Sequence, residues 1–173
     1  MKLHPPAGVR SHHTLTVPEY MADQTERTAD SLAHFIATTQ EDKLNWQPTH
    51  EGSSSTRSAL EQAAECVVVN RLIAKVLRGE TPTLPDPSRP PLTLANNQEA
   101  QDAIRSSGAE LAAAIRGMSE ADLEHMYQHP RGQFLGRNII MMCLRNMAYH
   151  AGQINLIQML YGDSEFHVPP KWR

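Results

Sequence analysis

Three polar side chains interrupt an otherwise apolar helical pattern near the end of the sequence. In the segment 133–162, Asn146, His150 and Gln153 recur at the spacing of one helix face, with apolar residues before and after them. Burying such groups without partners costs roughly 1–3 kcal/mol each, so we expect them to contact a ligand, water or another polar side chain. An imidazole beside two amides suits proton transfer or ligand binding.

A glutamate in a different predicted helix is the candidate partner of His150. Glu65 lies in the segment 56–78, where it borders a broad apolar face. Its carboxylate is either solvated or directed at the polar group of the last helix. In the second case Glu65 and His150 are candidate catalytic residues, acting as an acid–base pair while the two amides orient a substrate.

Four helices are needed to position these residues, and the apolar periodicity predicts four. The predicted segments are 18–39, 56–78, 96–116 and 133–162. Residues 80–95 contain five prolines, which exclude a helix and predict a long crossover between the second and third helices. Almost no strand pattern is present, so we expect an all-α four-helix bundle.

The length of 173 residues suits a single domain. Residues 1–16 lack periodicity and predict an N-terminal arm, whereas residues 17–173 predict the helical bundle domain. The arm contains His4, His12 and His13, which we interpret as part of a polar segment rather than as metal ligands.

Local patterns predict further details of the bundle. Tyr20 is expected to point into the core, and the loop 52–55 is expected to cap the second helix. The segment 127–132 is predicted to be a loop. His125 and His129 are four residues apart, as ligands on a helix would be, but the proline after His129 ends the helix, so both are expected at the surface.

The composition excludes several classes of partner. A net charge of -3 with no cluster of Lys and Arg does not predict nucleic-acid binding. No apolar run approaches the ~20 residues of a membrane span, and the first residues lack the apolar region of a secretion signal, so we expect a cytoplasmic protein. Cys66 and Cys143 are expected to be small buried side chains without a disulfide.

Three motifs along Val17–Gly162 together resemble one known family. The last helix contains NMAYHAGQINLIQMLYGD, the second helix contains STRSALEQAAECVVVNRLIAKVL, and Trp46-Gln47-Pro48 precedes that second helix. These motifs are similar to those of the DinB-like (DinB/YfiT) superfamily of four-helix bundles. Its members typically carry H-x-x-x-H-x-G-Q-I on the last helix, a histidine on the second helix, and W-x-P before it.

The resemblance implies a site at the open end of the bundle. In the family, three histidines usually hold a divalent metal, zinc or nickel, and low-molecular-weight thiols such as bacillithiol, mycothiol or glutathione undergo metal-assisted addition or transfer. Here His150 matches the third histidine, Asn146 stands four residues before it, and Glu65 stands at the second-helix position. The implied metal ligands are therefore His150, Glu65 and Asn146, with Gln153 in the pocket.

The substitutions leave the cofactor and the function open. A neutral amide is a poor ligand for zinc or nickel, so the alternative to a divalent metal is a metal-free hydrogen-bonded cluster. The first functional hypothesis is a metal- or thiol-dependent transferase or hydrolase acting on a small molecule. The second is a small-molecule binding or stress-associated protein without turnover. The third is a structural cluster in a protein that acts through its surface. We expect a homodimer, above all under the third hypothesis. The methionines of the last helix can pack either in the core or against a partner, and the core is the commoner outcome.

Overall fold

Four long helices account for most of the chain in the computed structural model, which describes residues 15–48, 56–84 and 92–172. The helices are α1 (Val17–Ala37), α2 (Ala59–Leu77), α3 (Asn97–Arg116) and α4 (Gly136–Leu160). The predicted all-α bundle is confirmed. Most of the predicted arm, the predicted capping loop 52–55 and the middle of the Pro-rich crossover lie outside the described residues.

The four helices pack as a square around two clusters of buried apolar side chains. Helix α1 contacts mainly α3 and α4, and α2 contacts mainly the same two helices, so α1 and α2 lie diagonally opposite each other. The amide of Asn97, at the start of α3, donates to the backbone oxygens of Ile36 and Thr39 at the end of α1. Helix α3 therefore begins at the end of the bundle where α1 ends.

Side-chain caps fix where α1 and α2 begin. Thr16 and Glu19 form a capping box at the start of α1, and Ser58 and Glu61 form another at the start of α2. The cap of α2 is thus Ser58 and not the serines of 52–55, so the capping prediction was wrong. A serine three residues before a glutamate is the pattern that marks this position.

A short β-hairpin precedes α4 where the sequence predicted only a loop. Strand β1 (Met126–His129) pairs antiparallel with β2 (Gly132–Leu135) through a two-residue turn. His129 is 5% exposed, and its Nδ1 accepts a hydrogen bond from the backbone N–H of Arg131. The prediction of a surface histidine was therefore wrong, because the turn folds the ring back onto its own backbone.

A glutamine inside the core joins α1 to α4. Gln158 is 0% exposed, and its Nε2 donates to the backbone oxygen of Phe35 and to the hydroxyls of Thr38 and Thr39. At the C-terminal end of α1, carbonyl groups lack hydrogen-bond partners within the helix. The amide of Gln158 supplies the hydrogen bonds that water would otherwise make there. Conversely, Tyr20 is 52% exposed, which corrects its predicted burial.

The C-terminal segment returns to the bundle. Trp172 donates its indole N–H to the hydroxyl of Ser31 over 3.0 Å and packs edge-on against Phe35. No helix among the described residues has the length and apolar character required to cross a membrane.

Candidate functional site

The candidate site lies between α2 and α4, near the end of the bundle where α1 ends. Gln62 and Glu65 are three residues apart on α2 and therefore share a face, which lies opposite His150 on α4. The His150 residue is only 5% exposed, whereas the Glu65 side chain is 34% exposed. The ring thus lies behind the carboxylate as seen from solvent.

Gln62 holds one nitrogen of the ring. The Nδ1 atom of His150 lies 3.1 Å from Oε1 of Gln62. The Nε2 of Gln62 donates to the backbone oxygen of Arg57 over 3.1 Å, so its Oε1 is left to face the ring. An amide oxygen only accepts hydrogen bonds, so Nδ1 carries the proton and donates it to Gln62.

The other ring nitrogen faces a carboxylate. Nε2 of His150 lies 3.5 Å from Oε1 of Glu65. In the neutral ring this nitrogen has a lone pair, since the proton is on Nδ1. The lone pair of Nε2 and the carboxylate oxygen of Glu65 are both proton acceptors, and in this arrangement they can share one proton. This is the geometry of an acid–base pair.

Burial keeps the ring neutral. The pKa of His150 is lowered from its ordinary value, first because burial disfavours the imidazolium. A hydrogen bond with Gln153 favours the charged form, and the positive charge of Arg57 disfavours it further. The ring is therefore a proton acceptor near neutral pH.

Arg57 completes the group, and sequence reasoning missed it. Its Nη1 forms an ion pair with Oε2 of Glu65. That oxygen is buried and makes no hydrogen bond with the described residues, so the charge of Arg57 is what compensates it. Arg57 precedes the cap residue of α2, and helical periodicity carries no signal for such a position. Gln62 was also missed, although its i, i+3 relation to Glu65 places it on the same face.

The two predicted amides have different positions. Gln153 reaches the ring of His150. Asn146 instead directs its Nδ2 at the sulfur of Cys66, over 3.6 Å. The structure therefore brings Glu65, His150 and Gln153 together, while Asn146 lies beside them and satisfies a buried thiol.

The donor set does not fit a tightly held zinc or nickel ion. Such sites use at least three strong protein ligands, and no group of three His, Cys, Asp or Glu side chains suitable for an ion occurs among the described residues. Glu65 and His150 supply two donors. The amide of Asn146 faces a sulfur, and a guanidinium already neutralises the carboxylate.

A separate groove of about 450 Å³ lies between α1 and α4 under the C-terminal segment. Phe35, Gly152 and Trp172 are among its lining residues, and neither His150 nor Glu65 is. The groove is therefore distinct from the polar cluster. The cluster remains the candidate site because it combines an acid, a base and fixed hydrogen bonds.

Comparisons with known proteins agree with this architecture. A crystal structure of a conserved protein from Enterococcus faecalis is similar, with a TM-score of 0.67 and 13% identity over 85% of this chain and 98% of that one. The crystal structure of a DinB-like protein from Bacillus cereus is similar, with a TM-score of 0.57 and 13% identity over 83% of this chain and 87% of that one. At such identities these matches show the fold alone.

The family assignment comes from the sequence profile. No curated protein matches the chain. The profile of the DinB superfamily matches residues 24–154, a range that includes both α2 and the part of α4 with His150. This range covers more than half of the chain, and it confirms the predicted resemblance. The chain belongs to the DinB superfamily.

Proposed function

We propose that the polar cluster is a metal-independent acid–base site that acts on a small thiol-bearing molecule. The observation that supports this best is the 3.5 Å separation between Nε2 of His150 and Oε1 of Glu65, with Nδ1 already committed to Gln62. The choice of a thiol comes from the resemblance to the superfamily. The proposal departs from that resemblance in requiring no zinc or nickel.

The chemistry follows from the protonation states. A thiol that reaches the ring gives its S–H proton to Nε2 of His150, and the resulting thiolate is the nucleophile. The thiolate forms a bond to an electrophilic carbon and either displaces a leaving group or adds to an activated double bond. In a displacement, the leaving group departs with the bonding electron pair and the proton on Nε2 passes to water; in an addition, that proton passes to the carbanion formed. The two cysteines of the chain are not the nucleophile, because burial raises the pKa of both thiols.

Entry to the site involves two charged side chains. Arg57 has a side chain that is 55% exposed, and it lies with Glu65 between solvent and the buried ring. A guanidinium in that position favours substrates with a carboxylate, which glutathione and related thiols carry.

Binding without turnover is the second candidate. The 5% exposure of His150 favours it, since a substrate must displace neighbouring side chains before it reaches Nε2. In this version the same residues hold a thiol-bearing ligand, and no bond is made or broken.

The test uses glutathione with chlorodinitrobenzene as the electrophile, in the presence of a chelator and with any affinity tag removed. We expect His150→Gln to reduce turnover by about 100-fold or more, which is the size of a general-base contribution. The matched control is His34→Gln, because His34 lies near His167 rather than Glu65.

Three outcomes are informative. Turnover that is lost in His150→Gln and kept in His34→Gln supports the enzyme. A glutathione-dependent rise in melting temperature that requires His150, without turnover, supports the binding version. If the wild-type protein shows neither turnover nor a glutathione-dependent rise in melting temperature, the proposed thiol substrate is wrong.

We also propose that two copies associate through the outer face of α4 and that the protein works in the cytoplasm. Tyr149, Leu156 and Leu160 are exposed along that face at helical spacing. Light scattering after size exclusion is expected to give a dimer for the wild type and a monomer for Leu156→Glu. A monomeric wild type at all concentrations rules out this interface, and cell fractionation tests the location.

A further inference from the structure

The ion pair between Arg57 and Glu65 brings a positive charge to the position where a metal would bind. One carboxylate oxygen of Glu65 faces the ring of His150, and the other is paired with the guanidinium of Arg57. A divalent ion that used Glu65 as a ligand would lie close to that guanidinium. Like charges at such distances repel, and more strongly where the carboxylate is partly removed from water.

We propose that the guanidinium of Arg57 takes the place of a metal ion as the positive charge of this site. This guanidinium neutralises the carboxylate of Glu65 and excludes zinc and nickel from the pair formed by Glu65 and His150. Toward Glu65, Arg57 is a positioning residue: its guanidinium pairs with the carboxylate and holds it beside the ring of His150.

The proposed exclusion of a metal then has two separate causes in this chain. Asn146 supplies a weak ligand where an imidazole would bind, and Arg57 occupies the carboxylate. Position 146 precedes His150 by one helical turn, so a histidine there would share the face that carries the ring. Replacing both residues should therefore create the three-ligand set of 65, 146 and 150.

Arg57→Ala removes the positive charge without removing the hydrogen bonds that hold His150. Gln62 is held by the backbone oxygen of Arg57 and not by its side chain, so the anchor of His150 is retained. Arg71→Ala is the matched control. Arg71 is also exposed, and its substitution removes the same positive charge at a position farther along α2. Arg57→Gln provides a more conservative version of the same change.

The experiment measures Zn²⁺ binding by equilibrium dialysis and by melting temperature, with Zn²⁺ alone as the probe and the tag removed. We expect wild type and Arg71→Ala to bind no ion that depends on His150. The double variant Arg57→Ala/Asn146→His should bind one equivalent about 100-fold more tightly than Asn146→His alone, and Zn²⁺ should raise its melting temperature. Adding His150→Ala should abolish this binding, and circular dichroism should show that each variant keeps its helices.

The inference fails if wild type binds Zn²⁺ through His150. It also fails if removing Arg57 leaves the Zn²⁺ affinity of the Asn146→His protein unchanged, or if the double variant binds no ion through His150. The inference rests on the metal-independent site proposed above. Since the test reads ion binding and not thiol turnover, either proposal can fail while the other stands.

Discussion

Nδ1 of His150 lies 3.1 Å from Oε1 of Gln62, and this contact decides which nitrogen of the ring carries the proton. Gln62 is itself oriented by the backbone oxygen of Arg57. The lone pair on Nε2 therefore follows from the hydrogen bond that Nδ1 donates to Gln62, and this lone pair lets the ring accept a proton beside Glu65.

The tautomer of His150 is the first prediction. Nitrogen NMR of the neutral wild-type protein is expected to show the Nδ1-protonated form of this ring. Gln62→Leu removes the acceptor, so the ring should become a mixture of tautomers, and the protein should lose about 1–2 kcal/mol of unfolding free energy. An Nε2-protonated ring in the wild type would contradict the arrangement.

The pH dependence of stability is the second prediction. Burial lowers the pKa of His150 in the folded state below that of the unfolded chain, which is about 6.5. The neutral ring therefore contributes stability above that pH, and this contribution is lost as the pH falls through the folded-state pKa. The pKa values of His34 and His129 are also lowered by burial. The pH dependence of wild-type stability therefore reports the sum of all three histidines.

Comparison with His150→Gln isolates the contribution of His150. Urea unfolding is measured for both proteins between about pH 7.5 and about pH 5, and the stability advantage of wild type is expected to shrink toward the acid end. An advantage that grows at low pH would mean that Glu65 holds the ring in its charged form.

Gln158 provides the third prediction. Gln158→Ala removes the donor to Phe35, Thr38 and Thr39 and leaves a cavity, so it should cost about 2–4 kcal/mol of unfolding free energy. Gln98→Ala is the control, because the same truncation at an exposed position of α3 should change stability by less than about 0.5 kcal/mol. Equal effects of the two changes would show that the buried amide does not join α1 to α4.

A close approach of α1 and α3 gives the fourth prediction. A Cβ at Gly108 would lie 2.5 Å from the Cβ of Ala29, so Gly108→Ala should destabilise by about 1–3 kcal/mol. Adding Ala29→Gly should relieve the clash, so the double variant should lose less than the sum of the single changes. Gly152→Ala is the control: its Cβ would meet nothing within 4 Å, and it should stabilise α4 by about 0.5–1 kcal/mol.

Thiol reactivity is the fifth prediction. Cys66 and Cys143 are both free and fully buried, as the sequence predicted, and burial raises the pKa of each thiol. Alkylation of the native protein should be at least about 100-fold slower than alkylation of the unfolded protein. Rapid labelling of one native cysteine would show that its part of the core opens to reagents.

The sequence was sufficient to predict the bundle, and it supplied the polar residues from which the candidate site is proposed. Both depend on periodicity, which extends over many turns, and a polar interruption such as Asn146–His150–Gln153 is visible against it. The family motif on the last helix made the assignment more specific. The pairing of Glu65 with His150 was one of two alternatives, because the orientation of one helix relative to another is a tertiary property.

Other features had no comparable signal. The strands of the hairpin are four residues each, too short for alternation to distinguish them from a loop. Gln158 appears in sequence as another polar residue near a helix end, and only the position of α1 shows that it is buried. Arg57 lies before its helix, so its ion pair with Glu65 depends on how the chain enters α2.

The position of Arg57 outside the helices has a consequence for how such proteins diverge. The packed positions of α2 and α4 constrain the imidazole and the carboxylate, but the residue just before the cap of α2 fills no space in the interior. A single substitution there can alter the charge at the entrance while every interior contact is kept. Under the inference above, the charge at the entrance can therefore change independently of the helix packing, whereas a metal site would also need a change at Asn146.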